Sequence, residues 1–327
     1  MLRFIIERLL TMIPILIVIS IISFAIIQLP PGDYLTTYII QLEASGDSVS
    51  QSEIEGLKQR YGLGQPMHVQ YFKWISGVVV GDFGYSFEWN QPVNTLIWER
   101  LGLTLVVSIS SLLLTWIVAF PIGVYSAVRQ HSPGDYIATF VGFLGLSIPN
   151  FMLALILMYG GYRLFGMSIG GLFSPEFVDA SWSWAKFVNM LSHLWIPMVV
   201  VGTAGTAGMI RIMRNNLLDE LGKQYVVTAR AKGLSTVKLI FKYPLRLALI
   251  PFVSTVGWLL PQLISGSAVV SVVLNLPTAG PLLLRALLGQ DMYLAGSFTF
   301  LLATLTVIGT FISDLLLAAV DPRITYD

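Results

Sequence analysis

Residues 224–251 read QYVVTARAKGLSTVKLIFKYPLRLALIP. The charged side chains in this stretch are Arg230, Lys232, Lys238, Lys242 and Arg246, and none is acidic. Uncharged runs long enough to span a bilayer flank it, at 187–210 and from 247 onward. An Arg or Lys at the bilayer centre costs about 2.5–3.5 kcal/mol on the insertion scale. Eight of them between Arg211 and Arg246 keep that region out of hydrocarbon. It reads as a loop of about 35 residues joining two membrane spans.

The composition agrees. Of 327 residues, 55% are hydrophobic and 11% charged, with mean hydropathy +0.76. Soluble domains are usually about 25% charged, so the chain falls in the membrane class. A net charge of +1 gives no reason to expect nucleic-acid binding. The absence of cysteine excludes disulfides, thiolate chemistry and Cys-based metal sites. His68, His131 and His193 are scattered and form no paired metal-ligand motif, so no metal or catalytic residue is assigned.

A spanning helix needs roughly 20 mostly apolar residues. Uncharged runs occur at 9–32, 101–128, 136–162, 187–210, 247–284 and 292–313. The fifth is too long for one span and reads as a helix to about Leu276, then an apolar segment interrupted by Pro and Gly. The sixth continues past Asp314 to Val320. Six spans are expected, in an all-α polytopic membrane protein. The first follows Arg3 and Arg8 but is too long for a secretory signal and reads as an uncleaved anchor.

Six spans place both termini on one side. Twelve of the Lys and Arg residues fall on that side and seven on the other, which favours cytoplasmic termini by the positive-inside rule. The expected organisation is an N-terminal span (1–32), an outer-face segment (33–100), a five-helix core (101–320) that includes a cytoplasmic loop (211–250), and a cytoplasmic tail (321–327). The outer segment is too long for a plain connector and has an amphipathic stretch at 53–63, so it is expected to form a small cap.

Within the loop, Leu218, Leu221, Tyr225 and Ala229 recur at helical spacing and define one apolar face. Arg230 and Lys232 suit a helix C-terminus, and Gly233 supplies a stop in a left-handed conformation. A second helix is expected over 236–249, with Pro244 and Pro251 as breaks. Two readings fit such a helix. It lies on anionic lipid, or it docks a cytoplasmic protein. Thr228, Ala229, Ala231 and Gly233 favour docking, because small residues permit close approach and Ala229 would face the partner.

The stretch 225–251 resembles the cytoplasmic loop of ABC-importer permeases, a Glu-Ala-Ala, three residues, then Gly. Ala229 and Gly233 match the second Ala and the Gly; Val227 and Thr228 replace the Glu and the first Ala. The form TARAKGL, residues 228–234, is typical of the dipeptide/oligopeptide permease branch. PPGD at 30–33, YGL at 61–63, Trp74, GDFG at 81–84, and VDPRI at 320–324 match the same branch in order. The resemblance implies a type I ABC importer permease and covers nearly the whole chain.

The resemblance further implies an inner-membrane subunit that pairs with a second permease, usually a different chain. Two cytoplasmic ATPase subunits would grip the coupling helices, and an extracytoplasmic binding protein would deliver solute. ATP and Mg would act in those partners, since this chain has no G-x-x-x-x-G-K-[ST] loop. The coupling residues would be Tyr225, Thr228, Ala229, Arg230, Ala231, Lys232, Gly233 and Leu234. The solute implied is a di- or oligopeptide; similar permeases also serve oligosaccharides, nickel chelates and glutathione-like compounds. A secondary transporter would need ion sites near the midplane, for which Asp314 is thin support. No nucleophile–base pair points to an enzyme.

Polar residues within spans are the remaining candidates. Asp314 is read as a structural hydrogen-bonding acid rather than a proton site. Ser267, Ser271 and Asn275 are four apart on one helical face and either line a pathway or bond between helices. Asn150 follows Pro149, where an unwound turn would interrupt the third span. GTAGTAG, residues 202–208, is expected to be a close-packing surface.

Overall fold

The computed structural model describes residues 2–28, 56, 65–86, 88–89, 91–166, 170–255, 266–289 and 291–320. Most of the 53–63 stretch and the tail 321–327 lie outside the described residues. The elements are α1 (Leu2–Gln28), α2 (Met67–Val79), β1 (Tyr85–Ser86), β2 (Gln91–Pro92), α3 (Val93–Val128), α4 (Pro133–Ser147), α5 (Asn150–Phe165), α6 (Trp184–Leu221), α7 (Gln224–Ala231), α8 (Thr236–Lys242), α9 (Pro244–Ser254), α10 (Ala279–Leu288) and α11 (Met292–Val320). Residues 266–273 are also helical. The two short strands pair antiparallel, Tyr85 opposite Pro92.

Among the described residues, α1, α3, α6 and α11 are long and apolar enough to cross a membrane. The third run forms α4 and α5, bent by 98° at Ile148–Pro149, where the sequence places an interruption. Ile148 takes the extended backbone (φ −91, ψ 119) that a residue before proline favours, and the helix ends there. The fifth run enters as α9 and emerges at 266–273; residues 256–265 lie outside the described set. Pro251 does not break α9, which continues to Ser254.

The chain divides into two compact units. The first comprises Met1–Leu103 and Thr278–Val307. Here the GDFG motif is a turn: Gly84 takes φ +83, and its N–H donates to Asp82 Oδ1 at 2.9 Å. A Cβ on Gly84 would lie 2.9 Å from the Tyr293 ring, so only glycine fits. Trp74 Nε1 donates to Ser297 Oγ (3.1 Å), and its ring packs with Phe24, Tyr71 and Phe300. Helix α1, otherwise broadly exposed, meets α2 through Phe24 and a Ser20–Tyr71 hydroxyl bond of 2.8 Å. Asp291 is fully buried and caps α11: Oδ1 accepts from the Leu294 N–H at 3.2 Å, and Oδ2 accepts from Ser86 Oγ at 2.5 Å.

The second unit comprises Thr104–Pro277 and Ile308–Asp327, and helices α4, α5 and α9 all pack on α6. Small residues make the approach close. A Cβ on Gly202 would lie 3.2 Å from Ser111 O, and Thr115 Oγ1 donates to Gly202 O at 3.1 Å. Across α4, Gly142 faces Ala207 and Gly145 faces Thr203. Lys186 at the start of α6 is buried, its Nζ donating to Val178 O (3.2 Å) and Ala180 O (2.5 Å) beside the Phe173 and Trp182 rings. Those carbonyls and ring faces replace the water that a buried ammonium would otherwise lose.

Asp291→Ala removes the α11 cap and leaves the Ser86 hydroxyl without this acceptor. The expected loss is about 1–3 kcal/mol, with Asp291→Asn losing less because it keeps an acceptor. Thermal unfolding of the purified protein in mild detergent measures the difference; equal midpoints for Asp291→Ala and the parent chain contradict it.

Candidate functional site

Helix α6 has 38 residues, roughly 57 Å at 1.5 Å per residue, whereas hydrocarbon is roughly 30 Å thick. Its uncharged run ends at Ile210, so the part that carries Arg211, Arg214 and Glu220 extends beyond the apolar span. Close packing continues there, with Met213 and Leu217 fully buried. The loop thus begins on a helix already anchored by the second unit.

The expected continuous face of Leu218, Leu221, Tyr225 and Ala229 does not form. Helix α6 stops at Leu221, and Lys223 adopts extended backbone (ψ 150) before α7 begins. The Gly222 and Lys223 N–H groups are bonded to Leu218 O and Glu220 O, so the break leaves no orphaned donors there. Helix α7 is a separate segment. Tyr225 spans the corner, its hydroxyl donating to Glu220 Oε2 at 2.6 Å. Burial and the adjacent Glu220 carboxylate push the Tyr225 phenol well above the usual tyrosine range, so it stays protonated and donating.

The two faces of α7 differ. Val226 and Ala229, three apart, are buried, and α7 packs on α8, where Leu239 and Ile240 are also buried. Ala229 is therefore turned into its own chain, not toward a partner as its small size led one to expect; at 8% exposure it has no free face. The exposed positions are Val227 (53%), Thr228, Arg230, Ala231, Lys232 and Gly233, with Tyr225 and Leu234 partly covered. Thr228 Oγ1 returns to Gln224 O at 3.0 Å.

Gly233 ends α7 at φ +77. Its N–H donates to Arg230 O (3.0 Å) and the Leu234 N–H to Ala229 O (3.4 Å), the paired bonds of a Schellman turn. Nothing lies within 4 Å of where a Cβ would stand, so the requirement for glycine is conformational rather than steric. Helix α8 then runs to Lys242, and Pro244 opens α9, where its missing N–H costs nothing. Val237, Phe241, Lys238 and Lys242 extend the exposed, basic and apolar surface.

The pathway candidates do not form one row. Ser267 and Ser271 are buried on the 266–273 helix, and Ser271 Oγ has no partner among the described residues. Asn275 instead sits past that helix at φ +51, its N–H bonded to Val272 O and the Leu276 N–H to Ser271 O. It closes a second Schellman turn, so the four-residue spacing from Ser271 carries no shared face. Asn150 is half-buried as the first residue of α5, just after the bend. Asp314 is half-buried on α11, beside Ser313, whose Oγ donates to Ser254 O at 3.1 Å. No group of His, Asp and Glu suited to hold a metal occurs among the described residues.

A family profile described as "Binding-protein-dependent transport system inner membrane component" matches residues 119–326. The corresponding N-terminal profile matches residues 1–108. The chain belongs to this family. It is a multi-pass inner-membrane permease subunit of a transport system and not an enzyme. Among its relatives, the oligopeptide transport system permease protein AppB of Bacillus subtilis is 38% identical, with all of both chains covered. The oligopeptide transport system permease protein OppB of Haemophilus influenzae and the glutathione transport system permease protein GsiC of Salmonella paratyphi A are each 31% identical, again over the full length of both. Among solved structures, the inward-facing MetNI methionine ABC transporter matches with TM-score 0.52 at 19% identity, covering 68% of this chain and 94% of that one. That likeness shows the fold: an all-α type I ABC permease.

At Gly233 of the permease, Asn should be nearly neutral because it tolerates left-handed backbone, whereas Val should destabilise the turn by about 1–2 kcal/mol. Protease cleavage rates in the 222–243 segment of the intact complex report the difference. Equal rates for Asn and Val variants would show that the left-handed turn does not hold the segment.

Proposed function

We propose that this permease forms half of the translocation pathway of an ATP-driven importer and that α7 is its coupling helix. The single observation behind this is the exposed surface of α7 and α8 at the end of an anchored α6: small residues, Val227, and the cations Arg230, Lys232, Lys238 and Lys242. Small and basic groups suit close approach to an acidic protein cleft. A cytoplasmic ATPase would receive this surface, with ATP and Mg held by that partner. A second, different permease subunit would complete the pathway, and an extracytoplasmic binding protein would deliver solute. The termini and residues 211–250 are assigned to the cytoplasm on the asymmetry of Lys and Arg. The described residues of the 33–100 segment, α2 and the hairpin, belong to the opposite face.

The solute we assign is a di- or oligopeptide, because the 38%-identical relative is named an oligopeptide permease. Glutathione is the second reading, resting on relatives of 31% identity so named. Ligand binding by the cognate binding protein decides between them.

Ala231 tests coupling better than Ala229, since it is exposed and its enlargement leaves the chain's own packing alone. Ala231→Trp should add bulk to a packed contact at a cost of about 1–3 kcal/mol, lowering uptake per ATP hydrolysed about tenfold or more. Solute capture by the binding protein should not change. Uptake and ATPase activity in reconstituted vesicles are the readouts; normal uptake with normal ATPase stimulation removes α7 from the coupling contact.

Topology is tested separately on this Cys-free chain. Ser235→Cys, at an exposed position, should react with an impermeant maleimide only from the inside. Labelling from outside reverses the orientation.

A further inference from the structure

A groove of about 330 Å³ runs between α4 and α6. Its lining changes character along its length. His131, Asp135, Arg211, Arg214 and Asn215 stand at one end, and Gly142, Phe143, Leu146, Ala207 and Ile210 toward the other. The change coincides with two sequence boundaries. The uncharged run of α4 and α5 starts at Tyr136, directly after Asp135, and that of α6 ends at Ile210, directly before Arg211. The groove therefore crosses the level where hydrocarbon gives way to headgroups, with its polar end on the headgroup side.

The charges at the polar end are not equivalent. Arg214 is committed: Nε and Nη2 donate to Asp135 Oδ1 and Oδ2, both at 3.1 Å, while the His131 N–H donates to Oδ2 at 3.0 Å. Asp135 is buried in this arrangement. Arg211, by contrast, has no carboxylate partner among the described residues and is exposed. It lies over the Phe143 ring, its Cζ 5.2 Å from the centroid. That stacking holds the guanidinium at the groove with its N–H donors open to an anion. The apolar floor is low because Gly142 and Ala207 face each other across it.

We propose that this groove binds an anionic phospholipid, its phosphate at Arg211 and the upper methylenes of one acyl chain along Phe143 and Leu146. A neutral apolar occupant would leave Arg211 unmatched. A soluble anion would leave the apolar floor unmatched. Basic pockets between spanning helices at this depth suit anionic lipid headgroups. This inference stands apart from the coupling role of α7 and holds for either orientation of the chain.

The test uses the full-length chain in its transport complex, in nanodiscs of phosphatidylcholine doped with lipid brominated near the head of the acyl chain. A fluorophore on Phe140→Cys reports the groove from an exposed position outside its lining, and one on Ile117→Cys of α3 reports bulk lipid. Brominated phosphatidylglycerol should quench the Phe140→Cys label at about one-fifth the mole fraction needed for brominated phosphatidylcholine, the ratio that about 1 kcal/mol per cation gives. The Ile117→Cys label should not distinguish the lipids. Arg211→Gln should erase the preference, and Arg211→Lys should keep most of it. Equal quenching by both lipids overturns the proposal. So does a preference that survives Arg211→Gln, or a Phe140→Cys label that neither lipid reaches because a protein subunit covers the groove.

Discussion

Helix α6, the common support of α4, α5 and α9, comes close to α3 at Gly202 and to α4 at Thr203 and Ala207 because its middle carries small residues. In hydrocarbon there is no hydrophobic force to press helices together, since lipid tails are as apolar as leucine. Dispersion contacts must do it, and they fall away steeply with distance. Small residues bring the backbones close enough for those contacts to accumulate. They also bring Thr115 within reach of the Gly202 carbonyl. A larger side chain at Gly202 would lose the bond and the contact together.

Polar groups in both units follow one rule: each buried charge described here is tied to a turn that the sequence cannot otherwise hold. Lys186 gathers the Val178 and Ala180 carbonyls of an irregular segment. Asp291 secures the Tyr85–Pro92 hairpin through Ser86 while capping α11. Asp135 stands three residues after the Ser132 cap and bonds both the His131 N–H and Arg214. Breaking any of them would leave a buried charge unpaired, which costs more than the pair itself contributes. Irregular backbone outside the helices is thus held by buried charges rather than by secondary structure.

Much of this was legible in the sequence because transfer to hydrocarbon leaves a one-dimensional record. Uncharged runs coincide with α1, α3, α6, α11 and the bent α4–α5 pair, four or five of the six expected spans among the described residues; Pro149 located the bend, and Gly233 located the end of α7. Helix ends were less legible. α3 begins at Val93 and α6 continues to Leu221, since a helix need not stop where the bilayer does. The buried face of α7 was misassigned because a periodicity read across Gly222–Lys223 assumed one helix where there are two. Asp291 left a signal that went unread, an acid immediately before an apolar run, the position of an N-cap. The Asp135–Arg214 pair left none, its members being 79 residues apart. Asn275 looked like a pathway residue because spacing says nothing about whether a helix has already ended.

In the coupling role proposed for α7, what holds the helix decides how it would act on the spans. It is held at one end by the Tyr225–Glu220 bond to α6 and along its buried face by packing on α8. Helix α8 leads through Pro244 into α9, which returns along α6. A load on α7 is therefore taken up by two paired helices instead of a free loop. Such a pair resists bending, because sliding one helix past the other would disrupt close-packed contacts. In that role, displacement would pass to the helices packed on α6, among them α4 and α5 on either side of a 98° bend. The helical hydrogen-bond ladder is already interrupted at that bend, before Pro149, so movement there would break few backbone bonds.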